Sequence, residues 1–184
     1  MAENNYAALM DPAPETAKRG SFFFLLLFAG IIFAAWFLAR FLWGGVGVPA
    51  SLSVGFGAAL LVLMLASLVP MVSVRRRLND GDDAGALGSV TTLLVVSLLM
   101  MVGIVYSWGQ LAIGSGYGGI YDVTTGWFLL HFLGAFLALL ATLMKGKRAP
   151  ERAKRERWVT YNVMSFWGAL VLLWSVFFVV FYVA

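Results

Sequence analysis

The sequence predicts an all-α polytopic membrane protein: a bundle of five transmembrane helices, N-terminus in the cytoplasm and C-terminus outside. Three observations predict it. The chain of 184 residues is 61% hydrophobic and only 12% charged, whereas soluble proteins carry roughly a quarter charged residues. Its apolar residues gather into five runs, each long enough at about 1.5 Å per helical residue to cross a hydrocarbon layer of ~30 Å. The basic residues alternate in side: twelve of the 13 Lys and Arg fall in the N-terminal segment, the 75–88 loop and the 145–157 loop, and only Arg40 falls opposite. The positive-inside rule converts that asymmetry into an orientation.

The elements follow in order, a cytoplasmic arm over residues 1–20 and a membrane domain over 21–184. The arm is polar and of mixed charge, too long and too acidic for a signal-peptide n-region. The first span covers about 21–43, with Arg40 in its last turn, expected to snorkel to the interface beside Trp43. The second covers about 49–74. Pro49 suits a first helical position, and Ser51, Gly55 and Ala59 form a small-residue edge for close helix packing. Arg75, Arg76 and Arg77 end it, and Asn79–Gly88 is a solvated loop whose aspartates lack the spacing of a calcium loop. The third span covers about 89–113, with Gly103, Ser107, Gln110 and Gly114 along one side. A glycine-rich turn over 114–124 has no GK[ST] ending and is not a phosphate loop. The fourth span covers about 125–144, the basic loop 145–157 sets topology, and the fifth span covers about 158–184.

Several function classes drop out. There is no cysteine, so disulfides, thiolate catalysis and Cys-based metal sites are excluded, and a single histidine excludes a bis-histidine haem within this chain alone. No Asp or Glu falls inside the expected spans, Asp122 sitting at the outer mouth of the fourth. A self-sufficient proton or cation pump needs such groups, and no nucleophile–base–orienter set for a hydrolase can be assembled.

His131, the one histidine, lies in the run TGWFLLHFLGAFLALLATL over Thr125–Leu143. On a helix it shares a face with Gly134, Ala135, Ala138, Ala141 and Thr142, a small-residue stripe that lets a neighbouring helix approach. The favoured reading is a packed structural histidine; a functional one is the alternative, since ionisable groups in membranes are often placed for use. Gln110 of the third span lies at comparable expected depth, so a Gln110–His131 hydrogen bond worth ~0.6–2 kcal/mol is expected.

Three spaced patterns carry a family resemblance. G-x-x-[FY]-x-x-x-Q is met by Gly103, Tyr106 and Gln110. T-G-x-H-x-x-H is met by Thr125, Gly126 and His131, with Phe128 in place of the first histidine. [FY]-W-H-x-x-[DE]-x-x-W-x7-Y is met by Phe166, Trp167, Trp174 and Tyr182, with Gly168 and Val171 in place of the histidine and the acid. In this order, on consecutive spans, they resemble subunit III of haem–copper terminal oxidases (cytochrome c or quinol oxidases) in its divergent five-helix form. The resemblance covers about residues 89–184. The glycine that follows the second pattern falls at Ala135, with Gly134 one place early, and Gly30 stands where a membrane glutamate is expected.

The resemblance implies a non-catalytic structural subunit in a bacterial inner membrane, packed on a catalytic subunit I and other subunits and holding phospholipid. Haem and copper would sit in the partner, none in this chain, and the carboxylate and histidine roles in proton supply do not carry over. Head groups of anionic lipids are expected near Arg75, Arg76, Arg77, Arg148 and Arg152. The alternatives are an anchor subunit of another respiratory complex, sharing a haem through His131 and a partner's ligand, and a small-molecule carrier, against which the missing membrane charges speak.

Overall fold

The computed structural model describes residues 15–45, 47–111 and 114–184, without the side chains of 15–22, 24, 25 and 28. Most of the expected arm, residues 1–14, lies outside the described residues, and residues 15–20 belong to the first helix rather than to an arm. The helices are α1 (Glu15–Trp43), α2 (Val54–Ala66), α3 (Leu68–Asn79), α4 (Asp83–Trp108), α5 (Gly116–Arg148), α6 (Pro150–Arg155) and α7 (Arg157–Phe178), the last running into a π-helical turn over Val179–Val183. No strand occurs among the described residues.

Four helical stretches are long and apolar enough to cross a membrane: Val54–Asn79, Asp83–Trp108, Gly116–Arg148 and Arg157–Val183. Within α1, the stretch Ala29–Trp43 is apolar as well. The outward side chains are as apolar as the inward ones: Val69 is 74% exposed and Leu172 67%. Lipid, not water, suits such a surface.

Local chemistry sets the ends. The Ser53 hydroxyl accepts from Phe56 N–H at 3.2 Å and starts α2; Pro49 sits ahead of it in a turn, not at a first helical position. The carboxylate of Asp82 accepts from Gly85 N–H at 2.9 Å and starts α4, so an expected loop residue is a helix cap. The Ser115 hydroxyl accepts from Gly118 N–H at 2.9 Å and starts α5 at Gly116. That helix therefore begins nine residues before Thr125, inside the expected glycine-rich turn. At the other end it runs to Arg148, so that it and α6 together occupy most of the expected 145–157 loop.

The second span is broken at Ser67, between α2 and α3. Pro70 accounts for the break, because it has no N–H for the Ala66 carbonyl and its ring crowds that carbonyl. The helix then continues past the three arginines to Asn79.

At the centre stands α7, packed against α1, α2, α3 and α5, while α4 packs mainly on α3 and α5. The core is aromatic. Trp174 meets Phe128 edge-on at 5.0 Å, Trp167 meets Phe132 at 6.2 Å, and Phe33 of α1 lies 4.3 Å from Phe128. Such pairs add ~0.5–1.5 kcal/mol each beyond area burial.

Candidate functional site

The positions that carry the subunit III pattern fall mostly on packing seams. A Cβ on Gly103 would come within 2.6 Å of a Leu60 methyl, so α2 and α4 meet closely here. Thr125 is fully buried; its hydroxyl accepts from the Trp108 indole N–H at 2.7 Å and donates to the Tyr121 carbonyl at 2.7 Å. The Trp167 indole donates to Ser67 Oγ at 2.8 Å, at the α2–α3 break. Tyr182 shares a 2.6 Å hydroxyl–hydroxyl hydrogen bond with Tyr121, and its ring fills the space a side chain at Gly57 would take. Trp174 is buried, with no hydrogen-bond partner for its indole nitrogen among the described residues. Two positions sit apart: Tyr106 is exposed beside Phe56, and Gly126 has nothing within 4 Å of a built Cβ.

The expected Gln110–His131 hydrogen bond is not made. Gln110 lies past the end of α4, and its Oε1 accepts from the Ser53 N–H at 2.9 Å, tying the C-terminal end of α4 to the start of α2. His131 pairs with its own helix: its Nδ1 lies 2.7 Å from the Trp127 carbonyl. The early start of α5 explains the mismatch in depth, since His131 lies about four turns, or ~22 Å, beyond Gly116.

The small-residue stripes also point elsewhere than expected. Ser51, Gly55 and Ala59 are exposed, and the close approach on α2 is at Gly57. On α5 the fully buried face carries Phe128, Phe132, Ala135 and Leu139. Gly134 is exposed with no atom within 4 Å of a built Cβ, and with Ala138 it lines a groove instead of a helix contact.

That groove, of about 590 Å³, lies between α1, α5 and α7. Leu26, Leu130, Trp158 and Phe166 contribute apolar walls; His131 and Asn162 are its polar groups. The imidazole is held among rings, 5.2 Å from Phe33, 5.9 Å from Trp127 and 6.1 Å from the near-parallel Phe166. A carbonyl only accepts, so in the neutral ring Nδ1 carries the hydrogen and Nε2 the lone pair. Asn162 also lines the adjoining groove with Arg75, Asn79, Tyr161 and Ser165.

Where α4 and α7 begin and α5 ends, a cavity of about 170 Å³ is bordered by two ion pairs, Arg157–Asp83 at 3.0 Å and Lys145–Glu156. Hydrogen bonds from Lys145, and then from Arg152 at 3.0 Å, hold the Glu156 carboxyl below the usual glutamate range. The arginines expected to meet lipid already have protein partners: Arg75 donates to Ser165 at 2.7 Å, Arg76 pairs with Asp80 and Arg77 with Asp82, both at 3.9 Å, and Arg152 with Glu156. Exposed pairs of this kind contribute little, so they do not preclude head-group contact. Arg148 is exposed and makes none of the ion pairs found among the described residues.

Arg40 is the residue the sequence placed wrongly. It does not snorkel; it is fully buried and folds under its own loop. Its guanidinium donates to Gly45 O at 2.5 Å and Gly47 O at 2.9 Å and covers the Tyr117 ring at 4.3 Å. The signal was present: a lone cation followed by the turn GGVG offers carbonyls within reach of one side chain. Asn162 was also overlooked, being one amide in an apolar run.

Compared against known protein families, the chain matches none of them. Among the described residues, no group of three or more His, Cys, Asp or Glu gathers to hold a metal ion.

Proposed function

We propose that this chain is a non-catalytic subunit of a haem–copper terminal oxidase complex, of the subunit III kind. It packs on the catalytic subunit, holds structural phospholipid and stabilises the assembly in a bacterial inner membrane. Its helices cross five times, α1 being the first crossing, with the N-terminus cytoplasmic and the C-terminus outside. Haem and copper belong to the catalytic partner. The three spaced sequence patterns carry this identification.

What supports the reading is where those patterns fall. Gly103, Thr125, Trp167 and Tyr182 each join one helix to another through a close approach or a hydrogen bond between side chains. Residues shared for a scaffold role belong in such seams, whereas residues shared for chemistry belong around a cleft. The basic residues at the ends of α3, α5 and α6 add a surface that attracts anionic head groups, by about 1 kcal/mol per residue near the membrane.

Deleting the chain tests the proposal. Membranes without it should contain less assembled oxidase, with near-normal turnover per remaining haem. Unchanged oxidase abundance and stability would refute it.

A further inference from the structure

We infer that the groove beside His131 binds a lipid-soluble molecule with a hydroxyl-bearing ring head, of the hydroquinone kind, and an apolar tail. This goes beyond the subunit role and holds whichever complex the chain joins.

The first ground is the state of the imidazole. Its Nδ1–H is committed to the Trp127 carbonyl, so the ring offers an acceptor at Nε2 and asks for a donor. No hydrogen bond from the described residues reaches Nε2. The second is Asn162, across the groove on α7: it too makes no hydrogen bond with the described residues. A phenolic head can donate to the imidazole and exchange a hydrogen bond with the amide.

The third ground is depth. His131 sits near the middle of the 33-residue α5, far from both helix ends. A phospholipid's charged head cannot reach the bilayer centre without a large cost, so the partner of His131 has a neutral head. The fourth is shape. Gly134 and Ala138 keep one side of the groove free of bulk, and Phe166 and Trp158 line it with rings, which suits a planar head over a branched one. Leu26 and Leu130 continue the lining for a tail. The volume of about 590 Å³ falls within the ~300–1,000 Å³ of small-molecule sites.

His131 is the only histidine, so labelling histidine with 15N in the full chain, held in nanodiscs, reports on this site alone. The free protein should show Nδ1 protonated and Nε2 bare. Under anaerobic conditions a decyl-tailed hydroquinone should shift the Nε2 resonance saturably and leave Nδ1 in place, while its dimethyl ether should not. Gly134→Leu adds a side chain to the groove at a position where its Cβ meets no neighbouring helix; it should weaken binding at least about tenfold with an unchanged thermal melt. Asn162→Leu should weaken it about fivefold, as expected for one lost hydrogen bond. A bare Nδ1, no saturable shift, an equal response to the ether, or full affinity in Gly134→Leu would each overturn the site. Saturation by hexadecanol at equal affinity would overturn the ring-headed ligand.

Discussion

The indole N–H of Trp167 donates to the hydroxyl of Ser67 across 2.8 Å, and both groups are sealed inside the bundle. Ser67 passes the bond on to the Met64 carbonyl at 2.6 Å. The break that Pro70 forces in the second span is thus held by the central helix. Ser67→Ala should lower stability by ~1–3 kcal/mol, because it leaves a buried N–H unsatisfied. Combining it with Trp167→Phe should cost less than the sum of the two single changes by about 1 kcal/mol. Equilibrium unfolding in mixed micelles measures this; additive losses would mean the bond carries no coupling.

Gly57 and Gly55 should behave in opposite ways. A methyl at Gly57 would come within 2.3 Å of the Tyr182 ring, whereas one at Gly55 meets nothing within 4 Å. Gly57→Ala should therefore destabilise by ~1–3 kcal/mol through overpacking. Gly55→Ala should be neutral or stabilise by up to ~1 kcal/mol through helix propensity. Thermal melts of the two variants decide it, and equal tolerance would place the seam elsewhere.

Arg40 ties the loop after α1 to the start of α5, through the Gly45 and Gly47 carbonyls and the Tyr117 ring. Arg40→Met should cost roughly 2–4 kcal/mol, since hydrogen bonds to a charged group are worth about 1.5–3 kcal/mol each. Arg40→Lys should not restore stability, because one ammonium cannot reproduce the planar fork. Proteolysis within residues 44–48 should accelerate in both variants; rescue by lysine would show that charge alone matters.

The end of the bundle around Glu156 should loosen in acid. Glu156 is held below its ordinary range by Lys145 first and Arg152 second. A carboxylate whose pKa is depressed by folding stabilises at pH values above its unfolded pKa, near 4.3. That contribution disappears as the pH falls through the lower folded value. Protection of the amides over residues 149–157, taken relative to intrinsic exchange at each pH, should fall through that window in the wild type. In Glu156→Gln it should already be low at neutral pH and change little. A flat wild-type response would remove Glu156 from the account of this end.

Much of the architecture is legible in the sequence, because hydropathy locates apolar helices directly, and four helical stretches are long and apolar enough to cross a membrane. The helix ends were less legible: Asp82 and Ser115 read as loop residues, yet each caps a helix that starts earlier than the apolar run. The inward faces were hardly legible at all. In water the buried side of a helix is its apolar side, but in lipid both sides are apolar, and Val102 at 60% exposure looks like Met100 at 0%. Small residues therefore misled at Gly55 and Gly134 and went unnoticed at Gly57. His131 stands out in the sequence as the single histidine, but its partner depends on where α5 begins, which the Ser115 cap sets.

Purification of the tagged chain from its native membrane in mild detergent, with quantitative mass spectrometry and a reduced-minus-oxidised spectrum of the same sample, tests the oxidase assignment most directly. The proposed role predicts a haem–copper catalytic subunit in near one-to-one ratio with the chain, with the haem signal retained in His131→Ala. A haem-free, copper-free oligomer of this chain alone would contradict it.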